Sequence, residues 1–205
     1  MIHRDSYIRR SLLGAAIVLL SACSILPESE PLTIYQMPPP SVDPGASQLN
    51  LPMLRINTPQ AGFAQSGPRM LVNPEGDKLS TYKGARWTDP APVIVREHLA
   101  RAFSHRVSPT HISTDEHALH ADVHLGSDLR AFQVVYGAAT PVARIDLDAR
   151  LINPNSRQVI AAKRFLVEQP LEDVQVPGAV KAFKLAADEL ARQVMDWTAE
   201  NLPSP

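Results

Sequence analysis

The clearest pattern along the chain is a strict alternation of apolar and charged residues across residues 142–151. A period of two residues predicts a strand with one face in the core and one face in water. Turn-forming residues at 153–156 and a second strand-like segment at 158–168 follow, so the sequence predicts an antiparallel hairpin. The apolar members of the alternation are Ala143, Ile145, Leu147, Ala149 and Leu151.

The charged members of the same alternation are Arg144, Asp146, Asp148 and Arg150. Opposite charges on a solvated strand predict ion pairs with neighbouring strands, and such exposed pairs contribute little to stability. The same residues would also suit a wet contact rim between copies of the chain. The sequence does not separate these two interpretations.

Two segments have the three- and four-residue spacing of amphipathic helices. The first, residues 90–105, follows Asp89 as a predicted N-cap and has Pro90 at the first helical position. The second, residues 177–201, is the longer helix. Their apolar stripes are Val95, Leu99, Ala102 and Phe103 in the first, and Val180, Phe183, Ala187, Leu190, Val194 and Trp197 in the second.

Further strand-like segments precede each helix. A long strand is predicted at 119–136, with Leu119 pointing inward and a bulge at Gly126 and Ser127. Strands followed by a helix, twice over, predict an α+β fold. We expect a mainly antiparallel sheet with two helices packed on one face, built from two related β-rich halves that each end in a helix. The remaining predicted strands are 32–37, 49–56, 69–73, 79–86 and a weaker one at 110–113.

The N-terminus has the layout of a secretory signal, with a basic start and a short apolar run. The run ends in the tetrapeptide Leu-Ser-Ala-Cys at 20–23, the lipobox pattern of bacterial lipoproteins. Residues 1–22 are thus predicted to be a lipoprotein signal peptide, 23–31 a lipidated tether and 32–205 a single domain. Cys23 is the predicted lipidation site, carrying diacylglycerol and a further acyl chain such as palmitate, and Ser24 favours sorting to the outer membrane.

Charge and cysteine content narrow the function classes. The chain has a formal charge of −1, and loss of three arginines and one aspartate with the signal leaves about −3. This balance gives no electrostatic attraction to nucleic acid. Acylation of Cys23, the single cysteine, leaves no thiol for a disulfide, a metal or nucleophilic chemistry. We expect no cofactor and no enzymatic activity.

Several residues have side chains that suit metal binding or catalysis, but each also has a simpler structural interpretation. His117, His120 and His124, with Asp115 and Asp122, have the ligand types that zinc accepts. Ligands at two-residue spacing on one flat strand diverge, however, and a solvated strand face explains them. Ser66 lacks the glycine pattern of a nucleophile elbow. Trp87 and Trp197 are predicted to lie in the core.

The order and spacing of several segments resemble the ABC-type transport auxiliary lipoproteins, the PqiC-like family associated with MCE-domain lipid transport. The resemblance covers nearly the whole mature chain, and it implies a structural role for Asp122, bonding nearby backbone. It rests on the lipobox, Ile34-Tyr35-Gln36-Met37, the 86–92 helix entry, Ala121-Asp122 with the strand through Phe132 to Tyr136, the Arg150-Leu151 to Phe165 hairpin, and Ala182, Ala186 and Asp196-Trp197 in the last helix.

The resemblance implies a non-enzymatic docking adaptor that is anchored in the outer membrane of a Gram-negative envelope and faces the periplasm. Its implied partners are an MCE-domain tunnel protein with its ABC transporter or membrane partner, the membrane itself through the acyl chains, and other copies of the chain in a homo-oligomeric ring. The alternative is an envelope lipoprotein that binds peptidoglycan or an outer-membrane assembly machine.

Overall fold

The computed structural model describes residues 31–41, 47–117, 119–137 and 140–202. Cys23 and the predicted signal segment lie outside these residues. The described elements are the strands β1 (Thr33–Tyr35), β2 (Leu54–Ile56), β3 (Gln60–Ala61), β4 (Arg69–Asn73), β5 (Ser80–Trp87), β6 (Ile112–Thr114), β7 (Val123–Val135), β8 (Val142–Ile152) and β9 (Val159–Pro170), and the helices α1 (Ala91–Arg106) and α2 (Val176–Asn201). A short 3-10 turn, Pro109–His111, leads into β6.

Strand β7 organises the sheet. Along one edge it pairs with β8 over almost its whole length, and β8 pairs with β9, both antiparallel. Along its other edge it borders β2, β3 and β4 in succession, all parallel to it. Strands β5 and β1 extend the sheet beyond β4, and β6 extends it beyond β2.

The predicted antiparallel character of the sheet is wrong. Five of the eight strand pairings among the described residues are parallel. The reason is that residues 54–73 run alongside β7 in its own direction, and α1 supplies part of the crossover that brings the chain back to start β7. The α+β class and the antiparallel hairpin of β8 and β9 are confirmed.

Both helices bury their predicted stripes against the sheet. Val95, Leu99 and Phe103 of α1 and Phe183 and Leu190 of α2 belong to the same core cluster. The predicted Asp89 cap is wrong, because Pro90 occupies the N-cap position and no side chain caps the helix. Burial of the stripe, rather than a cap, therefore holds this end of α1 in place.

The aromatic residues fix the centre of the core. Trp87 packs edge-on against Phe132 and Phe183, whose rings stack with centroids 4.5 Å apart. Trp197 meets Phe165 edge-on at 5.6 Å, so α2 is tied to β9 by an aromatic contact. Both tryptophans are buried, which confirms their predicted core positions.

Several predicted boundaries shift. Strand β7 begins at Val123, so Leu119 lies before it and is 57% exposed. The irregularity in β7 falls between Leu129 and Ala131 rather than at Gly126 and Ser127. Backbone hydrogen bonding decides where a strand starts and where its register shifts, and the pattern of apolar and polar residues does not show it.

Candidate functional site

A groove runs between α1 and β6, at one edge of the sheet. It encloses about 590 Å³, with Glu97, Arg101 and Ser104 on the helix side and Ile112 and Leu119 on the other. Strand β6 pairs with β2 alone among the described strands. The groove therefore lies beside a strand whose outer backbone groups are available to an added segment.

Arg96 joins two of the residues that line this groove, Glu97 and Glu116. Its side chain is buried, and its Nη2 donates to Glu97 Oε1 at 2.9 Å and to Glu116 Oε1 at 2.6 Å. Its Nη1 donates to Asp115 Oδ1 at 3.2 Å and to the Thr58 hydroxyl at 3.0 Å. One guanidinium thus connects α1 to the segment after β6 and to the loop after β2.

The charges in this cluster stabilise one another. Burial opposes the charge on Arg96, but hydrogen bonds to Glu116, Glu97 and Asp115 outweigh it and raise the pKa of the guanidinium. Burial also opposes ionisation of Asp115, yet bonds from Thr58 and Arg96 lower the pKa of that carboxyl. Arg96 and Asp115 are therefore both ionised at neutral pH, and their ion pair holds α1 against the segment after β6.

Of the candidate metal residues, the structure brings His120 and Asp122 near each other, with Nε2 of the histidine 3.8 Å from Oδ1 of the aspartate. Among the described residues, no three histidine or acidic side chains are close enough to hold a metal ion. Asp115 is engaged by Arg96 and Thr58, as above. Asp122 Oδ2 accepts a hydrogen bond from the Met53 amide at 3.0 Å, which confirms its predicted bond to nearby backbone.

The candidate serine, Ser66, is also held in a structural contact, and so is Ser41. Ser66 Oγ donates to the Gly62 carbonyl oxygen at 3.0 Å, so it supports a turn. Ser41 lies beside Lys184, and its amide donates to Asp188 Oδ1 at 3.2 Å. Lys184 Nζ is 2.7 Å from Asp188 Oδ2, so the two side chains form an ion pair along α2.

The charged alternation of β8 forms cross-strand ion pairs, as predicted. Arg144 pairs with Glu168 and Arg150 with Asp128, each at 2.6 Å. Asp146, which is buried, receives two hydrogen bonds from Arg164, and Asp148 pairs with Arg130. Each of these charges already has a partner on the sheet, so the face presents few free charges to a ligand.

Sequence reasoning missed the groove and the role of Arg96. The partners of Arg96 come from three separate segments, and no local spacing connects them. In the sequence, Thr58 and Glu116 are ordinary polar residues, and Asp115 stood out only as a candidate metal ligand.

Among the described residues, no helix has the length and apolar content that crossing a bilayer requires. The predicted lipidation site, Cys23, lies outside those residues, so it stays a prediction.

Comparison with known proteins places the chain in a family. The structure resembles the crystal structure of protein XCC0632 from Xanthomonas campestris, a DUF330 protein, with a TM-score of 0.73 and 26% identity over 82% of this chain and 95% of that one. A second crystal structure, at 14% identity and a TM-score of 0.64, covers 82% of this chain and 99% of that protein and supports the fold alone.

A curated relative, protein bll6063 of Bradyrhizobium diazoefficiens, is 29% identical over 161 residues, which are 78% of this chain. The match covers 42% of that relative's length. A family model described as "ABC-type transport auxiliary lipoprotein component" matches residues 35–195. The chain belongs to the family of ABC-type transport auxiliary lipoproteins.

Proposed function

We propose that this protein is a non-enzymatic adaptor, attached by acyl chains on Cys23 to the outer membrane, that docks an MCE-domain tunnel protein of an ABC-type lipid transport system. The observation that carries the proposal is the family match over residues 35–195, which begins 12 residues after the lipobox cysteine, Cys23. Acyl chains at Cys23 would keep the domain at the membrane without a spanning helix.

The groove between α1 and β6 is the surface that we assign to the tunnel protein. The free edge of β6 offers backbone donors and acceptors to an added strand, while Ile112 and Leu119 supply apolar contacts. The ion pairs of Arg96 with Glu97 and Glu116 hold two lining residues in place, which reduces the entropy lost on binding. A segment that adds to β6 would bind both through backbone hydrogen bonds to β6 and through side-chain contacts with the groove.

The charge balance of the groove supports a polar partner segment. Glu97 and Glu116 both form ion pairs with Arg96, and the exposed Arg101 lines the groove on the α1 side. A partner with both charged and apolar residues would match this lining. In the assembled transporter, several copies of the chain around the tunnel tip would present several such grooves.

Site-specific photocrosslinking in intact cells tests the docking proposal. A photoreactive residue at Arg101, 55% exposed in the groove, is compared with one at Leu166, 53% exposed on β9. The adducts are purified through a tag placed after Pro205. We expect the Arg101 position, and not Leu166, to capture an MCE-domain protein.

The alternative functions give different products in the same experiment. Recovery of peptidoglycan fragments or of an outer-membrane assembly protein from both positions would replace the transport proposal with the other envelope role. An MCE-domain protein captured from Leu166 but not from Arg101 would retain the function and move the docking surface to β9.

A further inference from the structure

An exposed patch of apolar and arginine side chains lies at the part of the sheet formed by β4, β5 and β1. We call it the Phe63 patch and define it by Leu32, Ile34, Phe63, Arg69 and Arg86. Phe63 is 89% exposed, the highest value among the large apolar residues of the described chain. Leu32 and Ile34 are each about half exposed. Neither the proposed groove nor the core uses these residues.

The strand register puts the patch on one face. Arg69 of β4 lies opposite Arg86 of β5, and Arg86 lies opposite Ile34 of β1. Directly paired residues project from the same face of a sheet, and neighbouring strands are about 4.8 Å apart. The adjacent Trp87 points into the core, so Arg69, Arg86 and Ile34 form a row on the outer face.

Phe63 extends this row at its β4 end. Its ring centroid is 5.9 Å from Cζ of Arg69. The ring is carried by an ordered turn, in which the amides of Gln65 and Ser66 both donate to the Gly62 carbonyl oxygen at 3.1 Å. Gln65 Nε2 also donates to the Arg130 carbonyl oxygen at 3.1 Å, which ties the turn to β7. The aromatic side chain is therefore held outward by the fold.

The two arginines of the patch have no acidic partner among the described residues. Eight of the twelve arginines in the described part of the chain form ion pairs. Arg69 and Arg86 do not, although they face each other across neighbouring strands. Like charges in that arrangement repel. A phosphate outside the protein would relieve the repulsion and accept paired hydrogen bonds from a guanidinium.

The patch is also close in sequence to the proposed anchor. Leu32 is nine residues after Cys23, and nine residues of any conformation reach at most about 32 Å. An acylated Cys23 would hold the start of β1 within that distance of the bilayer.

We propose that the Phe63 patch binds the anionic surface of the bilayer, with Phe63 inserted at the level of the headgroups and Arg69 and Arg86 bound to lipid phosphates. This inference rests on the acylation included in the proposed function. Aromatic residues favour the interface between headgroups and acyl chains, and arginines near an anionic surface add an electrostatic attraction. With the acyl chains as the first contact and the Phe63 patch as the second, the domain would have a fixed orientation relative to the bilayer, and so would the groove.

Fluorescence of the acylated full-length mature protein in vesicles tests this inference. Phe63→Trp reports the depth of the patch, and Leu166→Trp is the control at an exposed position on β9. Vesicles contain phosphatidylethanolamine and phosphatidylglycerol, with brominated acyl chains as quenchers. We expect Phe63→Trp emission to shift to shorter wavelength and to be quenched at least about twice as strongly as Leu166→Trp, since only Phe63 enters the interface.

A charge variant tests the phosphate contacts. Arg69→Gln with Arg86→Gln should reduce the quenching of Phe63→Trp in anionic vesicles and have little effect in phosphatidylcholine vesicles, because the attraction depends on lipid charge. Lys181→Gln with Arg192→Gln removes two exposed charges from α2 and should leave the quenching unchanged.

Intact mass spectrometry of the same samples separates failure of the patch from failure of the anchor. Acylated, vesicle-bound protein with Phe63→Trp quenched no more than Leu166→Trp would overturn the inference and leave the anchor in place. Protein without acyl chains that still shows selective quenching would support the patch and contradict the anchor. Protein with neither property would contradict both.

Discussion

At the scale of single residues, Arg96 shows how a charge can be buried without being isolated. Its side chain is 5% exposed, while its acidic partners Glu97, Asp115 and Glu116 reach toward water. Removing the guanidinium would leave these partly buried carboxylates close together. The support for the groove therefore depends on one residue that alternation patterns do not mark.

Arg96→Met should lower the free energy of unfolding by about 2 kcal/mol, less than for a fully buried pair because the partners stay partly hydrated. Arg101→Met is the matched control on the same helix, since its contact with Glu97 is 4.0 Å long and exposed. We expect a change below about 0.5 kcal/mol for the control. Urea denaturation measures both, and equal effects would contradict the supporting role of Arg96.

His98 provides a pH-dependent contact between the helices. It is buried in α1, and its Nε2 is 3.0 Å from Asp188 Oδ1 on α2. Burial lowers the pKa of His98, and the attraction of Asp188 opposes this shift without outweighing it. Burial alone would raise the pKa of Asp188. Hydrogen bonds from Lys184 and Ser41 have the larger combined effect, so the pKa of this carboxyl is lowered.

We expect the free energy of unfolding to fall as the pH is lowered from about 7 to about 5. The unfolded chain binds a proton at His98 more readily than the folded chain, so acid favours unfolding below the unfolded pKa of about 6.5. Asp188 adds a further loss below about pH 4, as its carboxylate is protonated.

Urea denaturation at several pH values measures this dependence. His98→Gln should flatten it between about pH 7 and pH 5. His124, whose pKa is lowered by burial and then by Arg55 and His120, is the second contributor in that window. Because it is more exposed than His98, His124→Gln should flatten the profile less. An unchanged profile in His98→Gln would contradict the assignment.

At the scale of elements, the sequence predicted what depends on periodicity and missed what depends on pairing. The stripe of α2 and the hairpin of β8 and β9 were correct because burial imposes a repeat on the residues themselves. The parallel pairings of β2, β3 and β4 with β7 were missed because backbone hydrogen bonds leave no mark on side-chain type. Strand β3 has two residues and is too short for any pattern.

Leu190 tests the packing of α2. It is almost fully buried in the stripe, whereas Leu185 on the same helix is 38% exposed. Leu190→Asp should cost about 4 kcal/mol, because it places a carboxylate among apolar side chains, and lower Tm by about 10 °C or more. Leu185→Asp should lower Tm by about 3 °C at most. Similar melting curves for the two variants would show that the stripe is not part of the core.

At the scale of the whole molecule, the proposed function uses one sequence motif and two surfaces of the folded domain. The N-terminus would provide the anchor, the Phe63 patch a second contact with the bilayer, and the groove between α1 and β6 a place for the tunnel protein. The sequence allowed the anchor to be predicted, because a lipobox is a contiguous motif. The two surfaces required the fold, since their residues come from separate strands and loops that only pairing brings together.

The proposed adaptor role depends most on the anchor, and intact mass spectrometry of the protein purified from its own membranes tests it directly. The account predicts a chain that begins at Cys23 and carries the mass of a diacylglycerol and a further acyl chain. Cys23→Ala should yield a species without acyl mass that leaves the membrane fraction. A wild-type chain that begins at another residue, or one without acyl mass, would contradict the account.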